Sequence, residues 1–489
     1  MRLHFFASLR NIFGIYGILL VFAGGIHLLP LLAIPFYPDE LTDGVYIAAP
    51  AIVAILLGFV LRQIRPKTES RISAKHGAII VCALWLSAAF IAAVPYVLSE
   101  RLNITQAFFE GMNGWTTTGM TFLDLDSLPR IFLLSRSVTS FFGGVGLICV
   151  VLSTVSEAYG MRLYNAEGHS DRLLPNLAKS ARLILSLFVA YFVAGTVAYV
   201  LAGMPIFDAL NHSMAALSTG GMSIRAEGIA YYDSLSIEII TIALMILGAT
   251  NFMVHLLLIK GKFRQLSKIG EMRCFAFMIG AGVLLTTLFL IPEMNNGLST
   301  VFRTSVFSMV SVITTTGFVT VPYTSLPHFL IVLTIIFMFI GGCAGSTAGG
   351  IKIGRIYLLF KSFTWNIRRN FRPERNTSEL SLLYPQGKIY IKEEHYFGAA
   401  NYVFLYIAIV FFGVLILTAH GYGLQDSLYE FTAVMGTTGL SAGIVSPTTP
   451  GTVLWTMSLG MFLGRLEIIV VFLAFIQIIK GFGSFMSRT

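Results

Sequence analysis

The chain has 489 residues, of which 56% are hydrophobic and only 12% charged, and its mean hydropathy is +0.79. Soluble domains carry roughly 25% charged residues, so this composition excludes a water-soluble core and places the chain in a bilayer. The formal net charge of +9 resides in loops between apolar stretches, which is a mark of membrane orientation and gives no sign of nucleic-acid binding.

Crossing a hydrocarbon layer of about 30 Å takes about 20 helical residues. Ten such crossings are predicted, at 12–34, 46–63, 77–98, 131–156, 183–203, 234–259, 274–292, 327–345, 397–420 and 451–479. The first is too long for a signal-peptide core and no small-residue cleavage pattern follows it, so it reads as a retained anchor. Basic clusters follow the even-numbered crossings: Arg62, Arg65, Lys67, Arg71 and Lys75, then Arg162, Arg172, Lys179 and Arg182. Lys260, Lys262, Arg264, Lys268 and Arg273 come next, and Lys361, Arg368, Arg369, Arg372 and Arg375 complete the series. The first loop carries Asp39, Glu40 and Asp43 and no basic residue. Because Lys and Arg concentrate on the cytoplasmic side, both termini are expected inside. Cys82, Cys149, Cys274 and Cys343 have no paired spacing, which indicates neither zinc nor disulfides.

A Thr/Gly signature recurs four times: Thr116-Thr117-Thr118-Gly119, Ser218-Thr219-Gly220-Gly221, Thr314-Thr315-Thr316-Gly317 and Gly436-Thr437-Thr438-Gly439. Its glycines lie 102, 96 and 122 residues apart, each on the external side between two apolar segments. Ala107-Phe108-Phe109-Glu110, Ala209-Leu210-Asn211-His212, Ser305-Val306-Phe307-Ser308 and Ser427-Leu428-Tyr429-Glu430 all end nine residues before their glycine. Each begins a helical run too short to span the bilayer and long enough to re-enter it. The repeating unit is therefore helix, re-entrant pore helix, filter loop, helix. The predicted fold is an all-α integral membrane protein, with two extra helices in 1–70 and pore repeats at 71–182, 183–268, 269–395 and 396–489 around a pseudo-four-fold pore.

Irregular backbone survives at membrane depth only where protein buries it or water reaches it. A ring of backbone carbonyls can replace the hydration shell of a monovalent cation, and glycine turns carbonyls inward at positive φ without a Cβ penalty. The expected ligands are the carbonyls of Thr117, Thr118 and Gly119; Thr219, Gly220 and Gly221; Thr315, Thr316 and Gly317; and Thr437, Thr438 and Gly439. A single copy would read as a helix cap or turn; four in register read as a filter. Glu110, His212, Ser308 and Glu430 are expected to anchor the pore helices rather than contact the ion. Asp124 and Asp126 are either cation-concentrating acids at the mouth or solvated loop residues.

Gly341-Gly342-Cys343-Ala344-Gly345-Ser346-Thr347-Ala348-Gly349-Gly350, followed by Ile351-Lys352, carries too much glycine for a stable helix. Two readings stand: tight helix packing through Gly341, Gly345 and Gly349, or a mobile loop. Arg465 falls in the last predicted crossing, where a central arginine costs about 2.5–3.5 kcal/mol. It is expected to project into a watered cavity below the filter and raise the barrier to cations, with snorkelling or pairing across helices as the alternative. Glu467 is a poor partner for it along the same helix.

On the four filters, Phe109-Glu110-Gly111, Gly143-Gly144-Val145-Gly146, Asn251-Phe252 with His255, the segment 341–352 and Gly464-Arg465-Leu466-Glu467-Ile468, the chain resembles the Trk/Ktr/HKT superfamily of potassium transporters. The resemblance covers essentially the whole chain. The two leading helices are similar to those of its TrkH/TrkG branch. It implies a non-enzymatic, multi-pass protein of a bacterial inner membrane that takes up potassium and needs no cofactor. Gly119 implies potassium, since serine there goes with sodium-selective members. One glycine per filter implies modest selectivity, with rubidium and sodium as further cations. The resemblance further implies that Gly345, Ser346, Thr347, Gly349, Gly350, Lys352 and Arg465 form a gate beneath the filter. It implies a separate TrkA-like cytoplasmic subunit that binds nucleotides and docks against the polar stretch 361–395, and a homodimer with one pore per subunit. The alternatives are a proton- or sodium-coupled secondary carrier and a less selective monovalent cation channel.

Overall fold

The computed structural model describes residues 2–64, 74–146, 177–292, 297–371, 380–384 and 387–486. Arg65, Lys67, Arg71, Arg162, Arg172, Arg372 and Arg375 lie outside the described residues, as does Cys149. The described fold is all-α apart from a two-residue parallel pairing, Ile340–Gly341 with Ile351–Lys352, and an antiparallel hairpin, Ser381–Tyr384 with Gly387–Tyr390.

Ten straight crossings were not found among the described residues. Six helices are long and apolar enough to cross a membrane: Arg10–Phe36, Pro38–Gln63, His76–Leu98, Lys179–Leu201, Gly270–Leu290 and Glu393–Ala419. The predicted spans 234–259 and 451–479 are each broken, Leu235–Gly248 meeting Phe252–Ile259 at 114° and Gly451–Leu466 meeting Ile468–Lys480 at 107°. The predicted span 327–345 ends as a helix at Phe339; within 131–156 the helix Arg130–Val145 stops ahead of Gly146 with φ 94°, and 147–156 lie outside the described residues. Local chemistry explains the breaks. The Asn251 side chain accepts the Met253 N–H at 2.7 Å and so starts a new helix, while Glu467 sits at φ 64°, which no α-helix accommodates.

Four short helices, Ile104–Trp115, Ile206–Leu217, Leu298–Ile313 and Leu424–Met435, precede the four signatures. The first is started by an Asn103 capping box with Gln106. It nests deeply because Gly111 offers no Cβ to the Ala89 carbonyl of the neighbouring span. The two leading helices cross as closely: a Cβ on Gly17 or on Gly58 would lie 2.6 Å from the other's carbonyl oxygen, and one on Gly24 would lie 2.7 Å from that of Ala51.

This close crossing makes a specific prediction. Gly24→Leu forces the leading helices apart and should cost about 1–3 kcal/mol, whereas a Cβ on the adjacent Gly25 meets nothing within 4 Å. Thermal unfolding of the purified protein in detergent should therefore show a lowered midpoint for Gly24→Leu and little change for Gly25→Leu.

Candidate functional site

Each short helix ends by one residue turning left-handed: Thr117 at φ 56°, Thr219 at 51°, Thr315 at 54° and Thr437 at 48°. For a β-branched residue this conformation is an outlier worth about 1–3 kcal/mol of strain, and it recurs at the same register four times. The next N–H then folds back onto its helix: Thr118 to Asn113 at 3.1 Å, Gly220 to Ala215 at 2.9 Å, Thr316 to Ser311 at 2.9 Å and Thr438 to Ala433 at 2.8 Å. The signature glycines follow at φ 95°, 56°, 82° and 76° for Gly119, Gly221, Gly317 and Gly439.

The glycines also explain how the loops meet. A Cβ on Gly119 would run into the Gly220 carbonyl oxygen, on Gly221 into that of Thr316, on Gly317 into that of Thr438, and on Gly439 into that of Thr118. The contacts close a cycle in chain order, so the four loops surround one axis. Among the described residues, no protein donor reaches the carbonyls of Thr117 to Gly119, Thr219 to Gly221, Thr315 to Gly317 or Thr437 to Gly439. The threonines are fully buried and only the glycines are partly exposed.

Behind the loops, each residue nine before its glycine grips the chain just beyond it. Glu110 accepts from the Thr121 hydroxyl at 2.5 Å, His212 Nε2 pairs with Ser223 at 3.2 Å, and Ser308 with Thr320 at 3.1 Å. Glu430 accepts from Ser441 at 2.8 Å and from the N–H groups of Ala442 and Val445 at 2.5 and 3.2 Å. Glu110 has the buried Arg136 at 3.6 Å as well. The hydroxyls of Thr121, Ser223, Thr320 and Ser441 are site residues that the sequence reading missed, although each sits two or three residues past a glycine.

The glycine-rich segment is a loop directly beneath this ring. Ile340↔Ile351 and Gly341↔Lys352 pair at its base. Broken helix ends leave backbone groups orphaned, and the loop satisfies them: Cys343 N–H donates to the Ala249 carbonyl at 2.9 Å, Thr347 N–H to Gly248 at 3.1 Å, and Phe252 N–H to Gly345 at 3.1 Å. Upward, the Thr347 hydroxyl meets that of Thr219 at 3.1 Å and Gly349 N–H donates to Thr315 Oγ1 at 2.9 Å. Gly349 lies so close to the Gly436 carbonyl and Thr437 Oγ1 that a Cβ would overlap both. Ser346 donates to the Cys343 carbonyl at 2.6 Å, and Gly350 takes φ 67°.

Arg465 does not reach freely into water. Its guanidinium donates to the Thr347 carbonyl and to those of Gly143 and Gly144 at 2.7 and 2.9 Å. It thereby ties the loop to the end of the helix that follows the first signature. Glu467 instead pairs with Arg355 at 2.6 Å, and Arg355 stacks on Tyr402 at 4.0 Å. Arg465, Lys352, Ser346, Gly345, Gly350 and Glu467 help line a cavity of ≈ 30 Å³, room for about two waters. The Lys352 ammonium donates to the Ala348 carbonyl. Asp124 and Asp126 stay in the loop beyond the first glycine, the Asp124 carboxylate accepting the Asp126 N–H at 3.3 Å. Asn251 Nδ2 donates to the Ala344 carbonyl at 2.5 Å, and His255 lies 3.3 Å from the Tyr191 hydroxyl.

Comparison with known proteins gives a consistent result. The sequence matches the model of the TrkH family, described as a cation transport protein, over residues 44–481. It is 30% identical over 480 residues to the Trk system potassium uptake protein TrkH of Salmonella typhimurium, across 95% of this chain and 98% of that protein. It is also 30% identical over 481 residues to an uncharacterized cation transporter of Methanocaldococcus jannaschii, across 96% of this chain and 95% of that protein. The fold is similar to the crystal structure of the potassium transporter TrkH from Vibrio parahaemolyticus, with a TM-score of 0.84 at 27% identity, covering 96% of this chain and 98% of that one.

The anchoring bonds can be ranked. Glu430→Ala strands two backbone N–H groups and one hydroxyl, each costing about 1–3 kcal/mol when buried without a partner, whereas Ser441→Ala removes one donor. The thermal midpoint should fall clearly further for Glu430→Ala than for Ser441→Ala.

Proposed function

Since the chain belongs to the TrkH family of cation transport proteins, we propose that it is the membrane subunit of a potassium uptake system and conducts the ion through the ring of signature loops. The observation that carries this reading is the closed cycle of four loops whose carbonyls meet no protein donor among the described residues. Such carbonyls stand in for the hydration shell of a monovalent cation. A divalent cation would call for carboxylates, and the two glutamates nearest the ring, Glu110 and Glu430, are engaged in anchoring. The proposed ligands are the carbonyls of Thr117 to Gly119, Thr219 to Gly221, Thr315 to Gly317 and Thr437 to Gly439. The leading pair spans 1–70 and the four pore repeats 71–182, 183–268, 269–395 and 396–489.

In this reading the loop from Gly345 to Lys352 closes the path below the ring, and Arg465 latches it. The positive charges of Lys352 and Arg465 add an electrostatic barrier to cations. Opening withdraws the loop from Thr219, Thr315 and Gly436, so Arg465 must release Thr347. The helix Ile353–Asn370 continues directly from the loop and carries Lys361, Arg368 and Arg369. A nucleotide-binding cytoplasmic subunit docked on this helix and the stretch to 395 could pull on the loop through it. We further propose a bacterial inner-membrane location with both termini inside, and a homodimer with a pore in each subunit.

Two measurements test the reading. Proteoliposomes of the purified protein should take up radioactive rubidium down a cation gradient. Gly119→Ser, at the roomiest of the four ring contacts, should shift the rubidium-to-sodium flux ratio toward sodium by several-fold. Uptake that requires a proton or sodium gradient would instead make the protein a coupled carrier. Arg465→Ala should raise uptake several-fold in the absence of any partner subunit, and reduced uptake by a folded variant would count against the latch.

A further inference from the structure

The leading pair carries no signature loop, yet it touches the first repeat on both sides of its loop. On the far side, the Glu40 carboxylate accepts the N–H groups of Arg130 at 3.0 Å and Ile131 at 2.8 Å, capping the start of the helix that follows the first signature. Arg130 in turn lies over the Tyr37 ring at 4.5 Å. On the near side, His27 meets Trp115, the last residue of the short helix and the one immediately before Thr116. Both are buried, His27 at 2% exposure and Trp115 at 0%.

The bonding fixes a single arrangement. His27 Nδ1 lies 2.8 Å from the Ala23 carbonyl, so it carries the proton. Nε2 is then the acceptor for the Trp115 indole N–H at 3.4 Å. The rings lie 5.5 Å apart, and Trp85 closes the other side of Trp115 edge-on at 6.3 Å. The Trp115 carbonyl is pressed against Gly143. Directly downstream, the Thr116 hydroxyl bonds the Met112 carbonyl at 2.8 Å and the Thr118 hydroxyl at 2.9 Å. Any shift of Trp115 is thus passed to Thr116 and Thr118. In the other repeats the equivalent residues are Leu217, Ile313 and Met435, all fully buried and with no polar side-chain atom to tether. Among the described residues, the first short helix is the one whose loop-side end is held by a hydrogen bond from outside the four repeats.

We propose that the leading helices are a brace on the first loop, and that His27 is a positioning residue that sets the cation selectivity of that loop through Trp115. This rests on the pore reading above. The close crossing at Gly17, Gly58 and Gly24 packs the pair backbone to backbone, so His27 is presented from two helices in direct contact.

The test compares rubidium and sodium tracer influx in proteoliposomes for wild type, His27→Leu, His27→Gln, Trp115→Phe and the double variant His27→Leu/Trp115→Phe. His27→Leu and Trp115→Phe should each lower the rubidium-to-sodium ratio about fivefold, the scale of one net hydrogen bond. The double variant should fall no lower, because both changes remove one bond. His27→Gln, whose amide can both donate to Ala23 and accept from Trp115, should stay within about twofold of wild type. Should His27→Leu fail to fold, Trp115→Phe still decides: it keeps one aromatic ring but loses the pyrrole ring with its N–H, and the ion ratio, unlike the thermal midpoint, reports the lost tether rather than the lost volume. An unchanged ratio in variants that still take up rubidium would overturn the brace, even if their thermal stability falls. Additive losses in the double variant would overturn it too. Wild-type vesicles without rubidium uptake would sink the pore reading instead.

Discussion

Buried carbonyls without donors are costly inside a bilayer, and much of this molecule follows from holding four sets of them around one axis. The backbone must reverse within two residues of each short helix, which places Thr117, Thr219, Thr315 and Thr437 in a conformation that threonine resists. Something must hold them there. Burial does part of it, the N–H bonds back onto the helices another part, and the anchoring residues behind each loop the rest. The glycines then admit the neighbouring carbonyl where any side chain would block it.

A second constraint comes from the broken helices. Each break leaves unpaired backbone groups at membrane depth, and the structure answers with partners from distant sequence. The ends around Gly248 to Phe252 are paired by the loop 342–350, while the carbonyls of Gly143 and Gly144 are taken by Arg465. The same bonds that complete the breaks keep the loop beneath the ring. In the proposed gate, closure and structural satisfaction are one set of contacts, so opening would cost the free energy of several hydrogen bonds, each about 1 kcal/mol net.

What was legible in the sequence was local. The register of the four signatures and the anchor positions Glu110, His212, Ser308 and Glu430 are short-range patterns, and the structure brings these residues together. The bends were not legible, because a window average smooths over the polar residues between Gly248 and Asn251 and between Arg465 and Glu467 and reports one span in each place. Arg465 illustrates the limit. Its residue type and depth signalled that something must solvate it, but its carbonyl partners lie more than three hundred residues away at Gly143 and Gly144, and nearer at Thr347. Glu467 is a poor partner for Arg465 along the same helix, and it pairs instead with Arg355 on a distant segment. Hydroxyls such as Thr121 and Ser441 were in plain view, yet only the return of the chain past the glycine gives them a role.

The cycle of glycine contacts has an evolutionary consequence. In a ring of four identical subunits every substitution is made four times at once, so a change tolerable in one loop is rejected if its symmetric copies are not. Here one chain carries all four quarters, and they differ: Gly220 stands where the other loops have Thr118, Thr316 and Thr438, and the anchors are two glutamates, a histidine and a serine. If the proposed filter is right, a covalently fused ring can explore ion preference in quarter steps, each loop sampling variants while the three others preserve conduction.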